Sequence, residues 1–287
     1  AVYGTETVLG KIKNKDNGPT GLFVTNNGKM KNVSLDQIEV KGTNSVGAFC
    51  GENDGVLDQL TVNNSDAENN PSTIVGKSDV GGITGAETLK AKAEYKNLVN
   101  RAEVTGKRYV GGIIGQISVT GTRKVIVEKC ENYGVVQAEP FNPEKGTDAA
   151  SAKYIGGIIG LCNNNTSHED SLQIKECKSS PQYIIDDDED LFKEENKEKL
   201  TKELNGVYVG GIVGYNRDSL IIDCNTEKEK NQEGYIFGYQ YVGGIVGYNE
   251  SSTIALDGNK GINETNVIGD SYVGGICGAN TGVLNPD

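Results

Sequence analysis

The chain has 287 residues, of which 39 are glycine and one is histidine, and its formal net charge is −12. Glycine is about twice as frequent as in ordinary globular proteins, but only six prolines accompany it, which disfavours a proline- and glycine-rich disordered chain. The glycines do not recur at every third residue, so collagen is excluded. No basic stripe and no long apolar run is present, so we expect neither nucleic-acid binding nor membrane insertion.

The single histidine restricts the chemistry that the chain could perform. His168 lies in the polar run Asn163–Asp170, and a zinc site of the HExxH type needs two histidines. No CxxC pair occurs, so a zinc ribbon or a thioredoxin-type redox motif is not expected. The sequence therefore predicts no catalytic residues, no metal site and no cofactor, and we expect that the chain is not an enzyme.

A hexapeptide of the form apolar-Gly-Gly-Ile-x-Gly recurs along the chain. Such self-similarity indicates a repeat architecture. In chain order the copies are Thr20–Thr25 (degenerate), Val46–Gly51, Val80–Gly85, Val110–Gly115, Ile155–Gly160, Val209–Gly214, Val242–Gly247 and Val273–Gly278. Their starts define a unit of about 30 residues, lengthened in two places by insertions.

Each unit also contains turns rich in Asn, Asp and Gly and short alternating segments such as Val125–Cys130 and Ala102–Gly106. These are strand signals without helical periodicity, and we predict three short strands per unit. A unit of this size cannot bury its apolar face alone and must stack on its neighbours. The expected fold is an all-β, right-handed parallel β-solenoid of about eight coils, forming a single domain over residues 1–287.

Two insertions interrupt the repeat, at residues 137–153 and 180–205. The first contains two prolines and is expected to be a surface loop. The second includes Asp186–Leu204, which has no glycine or proline and offers acid–base pairs at helical spacing, so it predicts a short helix. The acidic run Asp186–Asp190 suits the positive end of that helix, and it lacks the alternating pattern of a calcium-binding loop.

Tyrosine precedes the hexapeptide in five units, and parallel stacking would align these residues in a ladder with the spacing of adjacent strands. An uninterrupted strand has apolar or empty positions on both faces here, so alternation alone leaves the direction of the ladder open. Facing inward, the ladder would be part of the core, whereas facing outward it would be an aromatic strip able to contact sugar rings. Of the two we favour the inward, structural role. These tyrosines are the candidate binding residues: Tyr109, Tyr154, Tyr208, Tyr241 and Tyr272.

The cysteines show related patterns. Cys130, Cys177 and Cys224 occupy similar places in three successive units, while Cys50 and Cys277 share one hexapeptide position. Disulfides between stacked units are geometrically possible, but we favour free thiols acting as small buried hydrophobic groups. Cys162 lies in an apparent turn and is expected to be the most exposed.

Repeats of the type VGGIVGYN, found at residues 209–216 and 242–249, resemble the GLUG repeat of bacterial cell-surface proteins. That family includes adhesin-like proteins and some IgA-cleaving metallopeptidases, whose zinc domain has no counterpart in these residues. The resemblance extends from about Thr20 to the end. It implies a non-catalytic segment of a longer, secreted or surface-attached bacterial protein, serving as the stalk or ligand-binding part of an adhesin.

Other functions are compatible with such a rod. It could be a polysaccharide-active β-helix enzyme, which would need clustered carboxylates or basic residues in one lateral groove, or the accessory repeat region of a surface metallopeptidase. The expected partner is a host or microbial glycan or protein, and the expected location is extracellular or at the cell surface.

Overall fold

The computed structural model describes residues 2–3, 7–87, 93–138, 153–166, 168–180, 183–185, 207–229, 233–256 and 263–285. Within these ranges the chain consists of short β-strands and one 3₁₀ turn, Glu169–Ser171. The strands pair in parallel from one coil to the next and form a 25-stranded and an 8-stranded sheet. The fold is a parallel β-solenoid, which confirms the predicted fold class.

The strands make up eight coils and the beginning of a ninth. The first three coils contain β1 (Val2–Tyr3), β2 (Thr7–Lys13), β3 (Phe23–Asn26); β4 (Lys29–Lys41), β5 (Asn44–Gly47), β6 (Cys50–Asn53); and β7 (Val56–Val62), β8 (Thr73–Val75), β9 (Ser78–Gly81), β10 (Thr84–Glu87). The fourth and fifth contain β11 (Glu94–Lys96), β12 (Val99–Asn100), β13 (Glu103–Gly106), β14 (Tyr109–Gly111), β15 (Ile114–Val119); and β16 (Val125–Glu128), β17 (Glu131–Asn132), β18 (Val136–Ala138), β19 (Lys153–Gly156), β20 (Ile159–Asn164). The remaining coils contain β21 (Leu172–Lys175), β22 (Lys178–Ser179), β23 (Tyr183–Ile185), β24 (Val207–Gly210), β25 (Val213–Arg217); β26 (Leu220–Ile222), β27 (Asn225–Thr226), β28 (Tyr235–Gly243), β29 (Val246–Glu250); and β30 (Thr253–Ala255), β31 (Asn266–Gly274), β32 (Cys277–Asn280), followed by β33 (Val283–Asn285).

A complete coil therefore has up to five short strands rather than the three that the sequence predicted. The predicted helix at 186–204 lies outside the described residues, as does most of both insertions at 137–153 and 180–205. The single-domain assignment and the right-handed crossing remain predictions.

The hexapeptide copies lie in register along the stack. Val80 pairs with Val46 and Val110, and the same lane continues to Val273. The first copy differs, because Thr20 pairs with Val46 and Phe23 pairs with Cys50. This copy is therefore one residue shorter between these points than its neighbour, a deletion that letter-by-letter comparison of the hexapeptides did not detect.

The hexapeptide is not one continuous strand. In the fourth coil a strand ends at Gly111 and the next begins at Ile114, so the chain turns a corner between them. Because of this bend, Val110, Ile113 and Ile114 are all fully buried. The alternation expected for an uninterrupted strand therefore does not apply, and all three apolar positions of the motif line the core.

The hexapeptide glycines provide space for the neighbouring backbone. None of them has a positive φ among the described residues, where Gly121 is the glycine with that conformation. A Cβ atom added to Gly112 would lie 2.1 Å from the carbonyl oxygen of Gly157 and 2.3 Å from Cγ of Asn132. A side chain therefore does not fit at Gly112, where glycine is required for close packing rather than for a left-handed turn. The second coil differs, because Ala48 holds the same motif position there and is fully buried.

We predict that Gly112→Ala lowers the free energy of unfolding by on the order of 3 kcal/mol, because neither contacting group is a flexible side-chain end. Chemical denaturation of the purified chain measures this loss. Gly275→Ala is the matched control, since Gly275 holds the same motif position in the last described hexapeptide and an added Cβ meets nothing within 4 Å. Equal effects of the two substitutions would contradict the packing explanation.

Candidate functional site

The five tyrosines predicted to form a ladder are brought together in one lane, called here the tyrosine strip. Tyr154 pairs in register with Tyr109 and with Tyr208. From Tyr109 to Tyr272, consecutive rings are stacked with centroids 4.7 to 5.2 Å apart and interplanar angles of 11° to 29°. The strip therefore runs continuously across five consecutive coils.

The tyrosine strip lies on the outside of the solenoid. The residue that follows each tyrosine, such as Val209 after Tyr208, is buried in the core in the first four of these coils, and successive strand residues face opposite sides. The four rings from Tyr109 to Tyr241 are partly exposed, and Tyr272 is 59% exposed. The favoured inward direction is therefore wrong, because the residue after each tyrosine takes the inward place and the rings point outward.

A second, shorter lane widens the aromatic surface. Tyr215 and Tyr248 pair in register on the adjacent sheet, and their rings stack at 5.5 Å. Their planes stand at 72° to 89° to those of Tyr154, Tyr208 and Tyr241, with centroids 5.2 to 5.8 Å apart. Edge-to-face contacts of this kind are favourable, so the seven tyrosines form one packed surface cluster.

Two breaks in the described chain end directly before tyrosines of the strip. The described chain breaks after Ala138 and resumes at Lys153, directly before Tyr154. It breaks again after Ile185 and resumes at Val207, directly before Tyr208. In both places the described chain therefore resumes one residue before a tyrosine of the strip.

The cysteines lie mainly in the core as free thiols. Cys130, Cys177 and Cys224 are fully buried, and each thiol bonds the carbonyl oxygen two residues earlier at 3.3 to 3.5 Å. Burial raises the pKa of the Cys50 and Cys277 thiols to about 12, so both stay protonated at neutral pH. These cysteines serve as small core residues with a weak donor.

The prediction that Cys162 is the most exposed cysteine is wrong. Cys162 is fully buried in β20, and the partly exposed thiol is that of Cys277. The apparent turn at residues 161–165 is in fact largely a strand, in which Cys162 pairs with Asn216 of the next coil. Cys162 thus occupies an inward position that other coils fill with asparagine.

Those asparagines form buried ladders that the sequence reasoning missed. Nδ2 of Asn216 donates to Oδ1 of Asn249 at 2.9 Å, and Nδ2 of Asn249 donates to Oδ1 of Asn280 at 2.8 Å. At another corner, Asn100 donates to Asn132 at 2.9 Å in the same way. Each ladder also bonds the backbone that turns the corner, so these side chains satisfy buried polar groups inside the stack. The available signal was the recurrence of Asn at one offset after the hexapeptide.

One ladder position carries a buried carboxylate. Glu87 pairs in register with Asn53, and its side chain contacts the guanidinium of Arg123, which also lies 4.0 Å from the carboxylate of Asp54. Burial raises the pKa of Glu87 to about 8; Arg123 offsets part of this rise, and the negative charge of Asp54 adds to it. The two carboxylate side chains are at most 2% exposed, so this charge cluster belongs to the interior of the coil stack.

Glu87 should make stability depend on pH. In the unfolded chain its carboxyl loses a proton near pH 4.5, whereas in the folded chain it keeps the proton up to about pH 8. Stability contributed by this group is therefore present below pH 4.5 and is lost as the pH rises towards 8. We predict that Glu87→Gln removes this dependence, so that the variant gains stability relative to the unchanged chain between pH 5.5 and 8.5.

Denaturant titrations of both proteins at several pH values in that range measure the difference in the free energy of unfolding. Glu103→Gln is the control, because Glu103 is an exposed glutamate on a neighbouring coil. A difference between Glu87→Gln and the unchanged chain that stays constant across the range would contradict the assignment.

Other candidate chemistry has little structural support in the described ranges. His168 is exposed and directly precedes the 3₁₀ turn. No group of three or more His, Cys, Asp or Glu residues arranged to hold a metal ion occurs in the part of the chain that the structure describes. A search of the same residues finds no helix long and apolar enough to cross a membrane. The acidic run Asp186–Asp190 lies outside them.

Comparisons with known proteins give one distant match. No family model matches the chain, so the resemblance to GLUG repeats is not confirmed. No curated protein matches it either. Among solved structures, the chain is similar to a Bacteroides ovatus protein whose assignment as an immunoglobulin A1 protease is itself provisional, with 16% identity, a TM-score of 0.42, and coverage of 98% of this chain and 67% of that one. At this level of similarity the match bears on neither the mechanism nor the ligand of this chain.

Proposed function

We propose that this chain is a non-catalytic, ligand-binding segment of a secreted or surface-attached bacterial protein, and that the tyrosine strip is its contact surface. The observation that carries the proposal is the continuous outward row of tyrosines from Tyr109 to Tyr272. The parallel register of the strands places one of these side chains on each successive coil. Tyrosine is enriched in binding surfaces, because it supplies apolar area together with a polar end at a small entropic cost. A rigid solenoid is well suited to presenting such a lane to an extended partner.

The charge cluster inside the stack is poorly placed for glycan cleavage. Asp54, Glu87 and Arg123 bring two carboxylates and a guanidinium together, and a pair of carboxylates is what most glycan-cleaving enzymes use. Their side chains are 2%, 0% and 14% exposed, however, so a polymer lying against the outside of the solenoid would not reach the carboxylates. A polysaccharide-active enzyme is therefore the less favoured hypothesis.

The proposal is tested by replacing strip residues and measuring binding. The chain is applied to a panel of immobilised mucins, extracellular-matrix proteins and glycans, and retention is compared with that of a Tyr208→Ala, Tyr241→Ala double variant. We expect the double variant to lose at least tenfold in affinity for the retained ligand, because two central rings of the contact surface are gone.

Tyr133→Ala is the control, since Tyr133 lies at another corner of the coil and its hydroxyl bonds Glu131 at 2.7 Å. Circular dichroism verifies that the variants keep their strand content. Retention that survives the double substitution, or cleavage of a panel glycan by the chain alone, would overturn the proposed function.

A further inference from the structure

The tyrosine strip presents hydroxyl groups rather than flat rings. Side chains on a strand stand roughly perpendicular to the sheet, so the phenol oxygen is the outermost atom of each ring. Near-parallel rings with centroids about 5 Å apart are offset-stacked, which turns the faces of Tyr154, Tyr208 and Tyr241 towards their neighbours in the lane. What a ligand meets is a row of ring edges and hydroxyls repeated at about the spacing of adjacent strands.

The central hydroxyls of this row are available for hydrogen bonding. The hydroxyl of Tyr109 accepts a hydrogen bond from Nη2 of Arg108 at 2.9 Å. In contrast, the hydroxyls of Tyr154, Tyr208 and Tyr241 make no hydrogen bond within the described ranges. Burial raises the pKa of Tyr154 and Tyr208, as do their tyrosine neighbours, so these groups are protonated at neutral pH. Each can donate one hydrogen bond and accept others.

The arginines beside the strip are engaged by neighbouring side chains. Arg108 also stacks over the ring of Tyr109, with its guanidinium carbon 4.9 Å from the centroid. On the second lane, Arg217 lies 3.5 Å from the carboxylate of Asp218 and 3.9 Å from that of Glu250. The hydroxyl of Tyr215 donates to Glu250 as well. Because both arginines are engaged in this way, the surface complements an uncharged ligand better than a polyanion.

The spacing of the row distinguishes between extended polymers. A peptide strand advances about 3.3 Å per residue, so its groups would fall out of step with tyrosines repeated at strand spacing. An unbranched glycan with equatorial linkages advances by about the length of one pyranose ring per sugar, which is close to that spacing. Each sugar of such a chain would place hydroxyl groups opposite one tyrosine.

We propose that the tyrosine strip binds an unbranched, uncharged, equatorially linked polysaccharide that lies along the solenoid axis with one sugar per coil. This inference rests on the proposed function and specifies its ligand. Recognition occurs through hydrogen bonds from the row of phenol hydroxyls to the sugar hydroxyls, and the ring edges pack against the apolar parts of the sugars. Because the strip spans five coils, about five sugars occupy it.

The experiment uses the 287-residue chain with two series of β-1,4-linked oligosaccharides, from cellobiose to cellohexaose and from chitobiose to chitohexaose. Isothermal titration calorimetry measures their affinities. We expect affinity to rise several-fold with each sugar up to about five units in at least one series and then to level off. Affinity that does not depend on length, or no binding of either series, would overturn the inference.

A hydroxyl-deletion variant tests the mode of recognition. The triple variant Tyr154→Phe, Tyr208→Phe, Tyr241→Phe keeps the rings and removes three hydroxyls, so we expect at least a tenfold loss of affinity for the hexasaccharide with an unchanged melting temperature. The control is Tyr133→Phe, which removes a hydroxyl outside the strip. Full affinity in the triple variant would overturn the inference, because recognition would then depend on ring surface alone.

The two proposals can fail separately. If neither oligosaccharide series binds, but Tyr208→Ala with Tyr241→Ala still abolishes retention on a panel ligand, the glycan inference is wrong and the proposed function stands. If retention also survives that double substitution, both are wrong.

Discussion

The structure depends on the close approach of one backbone to the next at the second glycine of the hexapeptide. An added Cβ at Gly82, Gly112, Gly157, Gly211 or Gly244 would lie 2.1 Å from the carbonyl oxygen of the corresponding glycine in the following coil. The same distance at five successive interfaces shows that the coils are stacked on a constant contact. That contact fixes the register of the flanking strands, and the register in turn aligns every other repeated residue into a lane.

The buried asparagine ladders provide the polar counterpart of this contact. A corner exposes backbone groups to the interior, and each of these groups needs a partner. Asn132 illustrates the solution, because its Nδ2 donates to the carbonyl oxygen of Gly134 at 2.9 Å while its Oδ1 accepts from the amide nitrogen of Gly134 at 3.3 Å. Where a coil carries Glu87 at a ladder position, the interior has to accommodate a carboxyl group, which explains why the pKa of this residue is raised.

The sequence was sufficient to predict the fold class because its strongest signal, the hexapeptide period, is the contact on which the stack depends. It was insufficient wherever the chain bends. Ile113 and Ile114 both point inward because the strand breaks between them and Gly111, whereas the period-two rule assumes a straight strand. The burial of asparagine was equally hard to predict from the sequence, since asparagine is common in surface turns and in buried corners alike. Cys162 was misplaced for this reason, because its neighbours Asn163 and Asn164 suggested a turn.

The sequence predicted which tyrosines make up the candidate site, but it did not predict the direction or the orientation of their rings. Repetition identified the five tyrosines, and parallel register brought them together. The direction of the lane depended on the corner after the second glycine, which the sequence does not mark. The orientation of the rings depended on their packing against Tyr215 and Tyr248 in the adjacent sheet. Contacts between tyrosines of two sheets cannot be predicted from the sequence of a single repeat, because the two rings come from different motif positions and from different coils.

Backbone conformation sets a local cost in the tyrosine strip that ring stacking offsets. Among residues that directly precede the hexapeptide, Ser45, Asp79, Tyr241 and Tyr272 have positive φ values of 49° to 55°. Aspartate adopts this conformation more readily than most residues, whereas for an ordinary L-residue it costs about 1–2 kcal/mol. Stacking of aromatic pairs contributes about 0.5–1.5 kcal/mol per pair, which can offset the cost at Tyr241, between two stacked rings. At Tyr272, more than half exposed and stacked on one described ring, the offset from stacking is smaller.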